Sequence, residues 1–217
     1  RMVDVLAADR ELGALLLRRL NPGTPLSELK DDDEATQIAA RLIRDLPIPP
    51  PPGHAFPTPD DWAQAFDRHR ARFDGATGPL PRSMIERAER LFRELQGSPR
   101  RRLLLHGDLH HENILWDEEK GWLAIDPKGV VGDPAFEAAR FQLNPTPRLL
   151  TMDHPKRVAR RRLEILAAVL NEDRTRLLAW AFFDAMLSAC WSIEDGGEHW
   201  RYFLCCAELF DEIGEGL

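Results

Sequence analysis

The stretch His106-Gly107-Asp108-Leu109-His110-His111-Glu112-Asn113 is followed by Trp122-Leu123-Ala124-Ile125 and then Asp126, thirteen residues past Asn113. The polar run lies between two short apolar runs, residues 103–105 and 113–116, and a turn at 117–121 leads to the third, residues 122–125. This pattern predicts a loop feeding a β-hairpin. One extended loop presents Asp108 and Asn113, five apart, toward the same cleft, and the hairpin returns Asp126 beside Asn113. Such a set meets the needs of phosphoryl transfer. A carboxylate orients the attacking hydroxyl and takes its proton, while oxygen ligands hold magnesium against the phosphates of ATP. The order Asp, Asn five residues on, then a metal-binding Asp is also that of protein-kinase catalytic segments.

Outward from this centre the chain reads as mostly helical. Downstream, helices are expected over residues 134–141, 155–170, 173–193 and 198–213. Asp133 before Pro134 is an N-cap signature. Upstream, helices are expected at 33–45, 60–73 and 82–95. Residues 47–59 hold seven of the 17 prolines and predict an extended connection that divides a front segment from the main body. Two strands, 3–6 and 13–20, open the chain, and Asn21-Pro22-Gly23 is expected to end the second with a turn.

Composition sets outer limits. The 217 residues are 43% hydrophobic and 30% charged, enough to bury a sizeable core. A net charge of −7 excludes the usual nucleic-acid binder and suits a cationic small molecule. Cys190, Cys205 and Cys206 lack disulfide or metal spacing and are expected on buried helix faces. Residues 177–193 are short for a membrane span and contain Asp184, so a core helix, no membrane association and a cytoplasmic location are expected.

HGDLHHENIL, followed by WLAIDPKGVVGDPAFE, resembles the aminoglycoside phosphotransferase superfamily, and more narrowly the aminoglycoside/hydroxyurea antibiotic resistance kinases. GALLLRRLNPGTPL is similar to that family's last N-lobe strand and hinge. The resemblance covers nearly the whole chain and is tightest over residues 105–137. It implies an α+β, protein-kinase-like fold: residues 1–22 a remnant of the N-lobe strands and hinge, and 23–217 the helical C-lobe. It implies ATP and Mg2+ as cofactors, Asp108 as catalytic carboxylate, and Asn113 and Asp126 as magnesium ligands. His106 would brace the loop, and Asp133 would anchor the segment after Asp126. Backbone groups of Arg19, Leu20 and Asn21 would meet the adenine. The implied activity is phosphorylation of a small-molecule hydroxyl, streptomycin or a related aminoglycoside leading. Hydroxyurea, a small metabolite, or a non-catalytic kinase-like binding module are the alternatives. No glycine-rich loop or lysine-bearing strand precedes Val3, and the chain opens on Arg1, so a longer natural protein is expected.

Simpler readings stand beside these. Loop carboxylates and amides often only cap helices. His106, Asp108, His110 and His111 lack the ligand order of a zinc hydrolase. Lys128 suits either a phosphate or a surface ion pair. The run Lys156, Arg157, Arg160, Arg161 and Arg162 predicts a solvated helix face. Asp184, Glu194, Asp195 and Glu198, if they face the cleft, would bind the cationic groups of an aminoglycoside.

Overall fold

The structure is a computed structural model that describes residues 1–98 and 101–216; Pro99, Arg100 and Leu217, all within the expected second unit, lie outside the described residues. Strands β1 (Val5–Asp9) and β2 (Ala14–Leu17) form an antiparallel ribbon. They are followed by β3 (Pro22–Pro25) and the helices α1 (Asp32–Asp45), α2 (Pro59–Arg72) and α3 (Arg82–Gly97). Four short strands come next: β4 (Leu103–Leu105), β5 (Ile114–Asp117), β6 (Gly121–Ala124) and β7 (Val130–Gly132). The chain closes with α4 (Pro134–Gln142), α5 (Pro155–Leu170), α6 (Arg174–Glu194) and α7 (Trp200–Gly214). The α+β, helix-dominated expectation holds.

Local chemistry accounts for the helix starts. Asp31 accepts from the Glu34 amide at the head of α1, and acidic Asp32, Asp33 and Glu34 complement the helix dipole there. Thr58 and Asp61 form a reciprocal capping box with Pro59 at the first helical position of α2. Asp133 caps α4 by accepting from the Ala135 amide, again with a proline at the first helical position. Helix α6 runs through the core, with Trp180, Phe183, Met186 and Leu187 fully buried and α2, α3, α4, α5 and α7 packed around it. It is long and apolar enough to cross a membrane, but most of it is enclosed by these neighbours.

Several expectations need correction. Asn21-Pro22-Gly23 is not simply a turn: residues 22–25 form β3, which pairs antiparallel with β5. A strand unforeseen in the sequence, β7, pairs with β4. The proline-rich segment is extended but does not divide the molecule. Ile48 exchanges backbone hydrogen bonds with Leu104, Pro57 accepts from the Val131 amide, and α1 packs on α5 and α4. Cys190 and Cys206 are buried but Cys205 is exposed. Arg162 leaves the expected solvated face entirely; it is fully buried and bonds Asp32 and the Asn144 carbonyl.

Candidate active site

Two antiparallel pairings bracket the site. Leu105 pairs with Val130 across β4 and β7, and Ile114 pairs with Ala124 across β5 and β6. The loop at 106–113 and the segment at 125–129 are thereby held face to face. Further bonds stitch them. The Ile125 amide donates to the Asn113 carbonyl at 2.9 Å, and the Lys128 and Gly129 amides both donate to the His106 carbonyl at 2.9 Å. His106 braces the pair as well, its Nε2 lying 2.8 Å from the Ile125 carbonyl while its Nδ1 meets the Asp108 amide at 3.2 Å. Gly107 has φ +83°, and a Cβ there would press on Val130 and Trp62 at 3.2 and 3.3 Å, so glycine is required on both counts.

The three polar residues at the centre differ in setting. Asp108 is part-exposed, its side chain 24% accessible. Asn113 is buried and donates from Nδ2 to the Asp108 carbonyl at 2.9 Å, which leaves its Oδ1 available as an acceptor. Asp126 is exposed, in the left-handed conformation at φ +54°, with Lys128 Nζ 3.0 Å from its carboxylate. A non-glycine residue in that region is uncommon and concentrates at functional sites. Lys128 therefore pairs with Asp126 itself.

Helix α4 supplies two residues that sequence reasoning missed. Glu137 is buried, and its two oxygens accept from the Gly107 amide at 2.9 Å and the Leu109 amide at 3.2 Å, one on each side of Asp108. Burial pushes its pKa above the ordinary carboxylate value, against the pull of His106 and the two amides. One turn on, Arg140 reaches Asp108, Asp184 and Ser188. The available signal was an acid and an arginine three apart in the mostly apolar Pro134–Gln142 helix. Asp133 binds Arg176, with Nε at 2.9 Å, and so ties this segment to α6.

The remaining candidates separate. Asn21 has both backbone groups engaged: its amide donates to Asp117 Oδ2 at 3.0 Å and its carbonyl accepts from Glu118 at 2.9 Å. Among the described residues no backbone hydrogen bond takes up Arg19 or Leu20. Asp184 is fully buried against Arg140, so it does not face a ligand as expected. Glu194 is held by Arg68 at 2.6 and 3.0 Å, which lowers its pKa. Glu198 stands in solvent, 3.8 Å from Arg201. Only Asp195 lines the cavity of about 310 Å³ that also contains Arg140, Ser188 and Trp191. A larger concavity, about 720 Å³, lies along α5 and α7, and there Lys156 and Arg161 already hold Glu212 and Asp33. His111, which a zinc site would need, is buried and stacked on Phe141 at 4.1 Å, and burial holds its pKa well below normal.

Residues 2–196 match the family described as aminoglycoside/hydroxyurea antibiotic resistance kinase. The chain belongs to that family. Among relatives, it is 36% identical over 196 residues to streptomycin 6-kinase of Streptomyces griseus, covering 90% of this chain and 63% of that enzyme. Streptomycin 3''-kinase of Klebsiella pneumoniae is 36% identical over 195 residues, covering 85% of this chain and 68% of that enzyme. The chain thus spans less than two thirds of the Streptomyces enzyme's length. A crystal structure of a choline/ethanolamine kinase family protein from Mesorhizobium loti superimposes with a TM-score of 0.70 at 16% identity, covering 98% of this chain and 76% of that one. The fold is therefore kinase-like, as membership of this family implied.

Proposed function

We propose that this chain carries the acceptor side of an ATP- and magnesium-dependent phosphotransferase that modifies a hydroxyl of a small molecule, an aminoglycoside such as streptomycin first among them. The observation that carries this reading is the double antiparallel bracket that sets the Asp108 loop against the Asp126 segment, in a chain of the resistance-kinase family. Asp108 orients the substrate hydroxyl and accepts its proton as the oxygen attacks the γ-phosphorus; the bond from that phosphorus to the bridging oxygen of ADP breaks. Catalysis on this scheme is positioning and charge neutralisation, with no covalent enzyme intermediate.

The donor set fits magnesium: Oδ1 of Asn113 and the exposed carboxylate of Asp126 are hard oxygens that would share the ion with phosphate oxygens. When bound, the ion offsets charge on the transferring phosphoryl group. Lys128 would move from Asp126 toward phosphate. The unengaged backbone at Arg19 and Leu20 would meet the adenine, while Asn21 belongs to the turn that holds the hinge. Residues 1–22 would then be N-lobe strands and hinge, and 23–217 the C-lobe, acting in the cytoplasm where ATP is found. Asp195 is the acidic residue best placed for a cationic substrate.

The test is ATP consumption by the full-length protein with magnesium against a panel of aminoglycosides, hydroxyurea and small amino alcohols. Turnover with an aminoglycoside is expected, together with a loss of at least about 100-fold in Asp108→Ala. Turnover with hydroxyurea alone would move the substrate but keep the chemistry, and an Asp108→Ala protein at parental rate would remove the assigned base. Asp126→Asn should abolish magnesium-dependent nucleotide binding measured by calorimetry; unchanged binding would take Asp126 out of the metal site.

A further inference from the structure

Arg140 lies between two carboxylates, Asp108 and Asp184. Its Nη2 donates to Asp184 Oδ1 at 3.0 Å and its Nη1 to Ser188 Oγ at 3.1 Å, while its Nε lies 3.6 Å from Asp108 Oδ1. The guanidinium also lies over Trp191, 5.9 Å from the ring centroid. Nε is buried and makes no hydrogen bond, so the proton edge beside Asp108 is otherwise uncommitted.

Asp184 explains why that edge stays there. It is fully buried on α6 among Trp180, Phe183 and Leu187, where an ionised carboxylate is costly unless paired. Among the described residues Arg140 is its only ion-pair partner, and its second oxygen has no hydrogen bond. The groups facing Arg140 are thus Asp108 from the loop and Asp184, Ser188 and Trp191 from α6, with Asp195 in the adjoining cavity.

Glu137 and Arg140 lie three apart on α4, on one face of the helix. Their tasks are complementary. Glu137 binds the amides of Gly107 and Leu109 and so fixes the backbone on either side of Asp108, but a backbone clamp leaves the Asp108 side chain free to turn about χ1 and χ2. Beyond Arg140, the basic side chain nearest that carboxylate among the described residues is His110, with Nε2 3.9 Å from Oδ2.

We propose that Arg140, anchored by Asp184 and Ser188, is a positioning residue that selects the Asp108 rotamer used in phosphoryl transfer. This rests on the reading of Asp108 given above, and the tests separate the two. In an active parent enzyme, Arg140→Ala should lower kcat about 10- to 100-fold, the scale of a carboxylate displaced by roughly an ångström, with the KM for ATP and magnesium-dependent nucleotide affinity unchanged. Added guanidinium should restore part of the rate, which repair of a merely structural defect would not. Arg140→Lys should fall between, and Asp184→Asn should give a smaller loss confined to kcat. A rate within twofold of parent in Arg140→Ala, or a loss shared equally by kcat, KM and thermal midpoint with no rescue, would overturn the proposal. An inactive parent would instead sink the functional reading. The crystal structure of Arg140→Ala then still decides this one: Asp108 should turn to a different rotamer or split among several, and a single unchanged rotamer counts against it.

Discussion

Asp184 shows what a single sealed carboxylate does to the protein's pH response. Burial raises its pKa from the ordinary 3.8 to about 6, Asp108 adding to the rise and Arg140 opposing it. The folded state holds this proton more tightly than the unfolded chain, so the contribution is fully present below pH 3.8 and is lost as pH rises through about 6. A rise from 3.8 to about 6 corresponds to about 3 kcal/mol. Asp184→Asn should therefore flatten the fall in stability between roughly pH 4 and 6, read from urea midpoints across that window; a parental slope in the variant would exclude Asp184 as its source. Asp108, Asn113 and Asp126 were legible as a group because their spacing lies within one loop and one hairpin. Asp184 read as an acid in an apolar helix and as a candidate partner for a cationic substrate, because the partner that defines it, Arg140, is 44 positions away in sequence. Burial and long-range pairing are not written in local spacing.

Short elements were the hard ones. Helices with an Asp or Thr cap and a proline behind it were readable to within a residue or two, since the signal and the structure share the same four positions. Strands β3 and β7 were not, because three or four residues rich in Pro, Gly or Val become strands only when β5 and β4 supply partners. Yet β7 closes one side of the candidate site, and β3 follows directly on residues 19–21. Beside that segment Asp117 ends β5, accepting from the Asn21 amide and from Arg18 Nη2 at 2.7 Å. The Asn21 bond leads in bringing its pKa down to about 2, and Arg18 adds to it. The folded pKa is depressed, so the support is present above pH 3.8 and lost as pH falls through about 2. Hydrogen exchange at the Asn21 amide should accelerate, relative to its intrinsic rate, across that acid range, and Asp117→Asn should give faster exchange there already at neutral pH. Equal protection in both proteins would show that this segment is held by something else.

At the scale of the whole molecule, α1 belongs to the helical body rather than to a separate front segment, and Arg162 is the reason. Fully buried on α5, it binds Asp32 at the start of α1 through Nε and Nη2 at 2.9 and 2.5 Å, donates to the Asn144 carbonyl at 2.6 Å, and lies over Phe141. Removing one partner of such a pair leaves polar groups unmatched, at a cost of about 3 kcal/mol. Arg162→Met should lower the urea midpoint accordingly, and a parental midpoint would show that α1 is held by its apolar face alone. The kinase-like class was readable from the loop and its flanks; the route by which the proline-rich segment is sewn into the body was not, because those bonds run between backbones. The β1–β2 ribbon lies at the other extreme. Among the described residues its two strands pair only with each other, and Leu12, Leu15, Leu16 and Leu6 are 60% or more exposed. Bare strand edges carrying leucine are templates for another chain. In practical terms, the concentration that a polypeptide of these 217 residues tolerates in a tube depends on this ribbon as well as on the helical core, and polar substitutions at Leu6, Leu12, Leu15 and Leu16 should raise it.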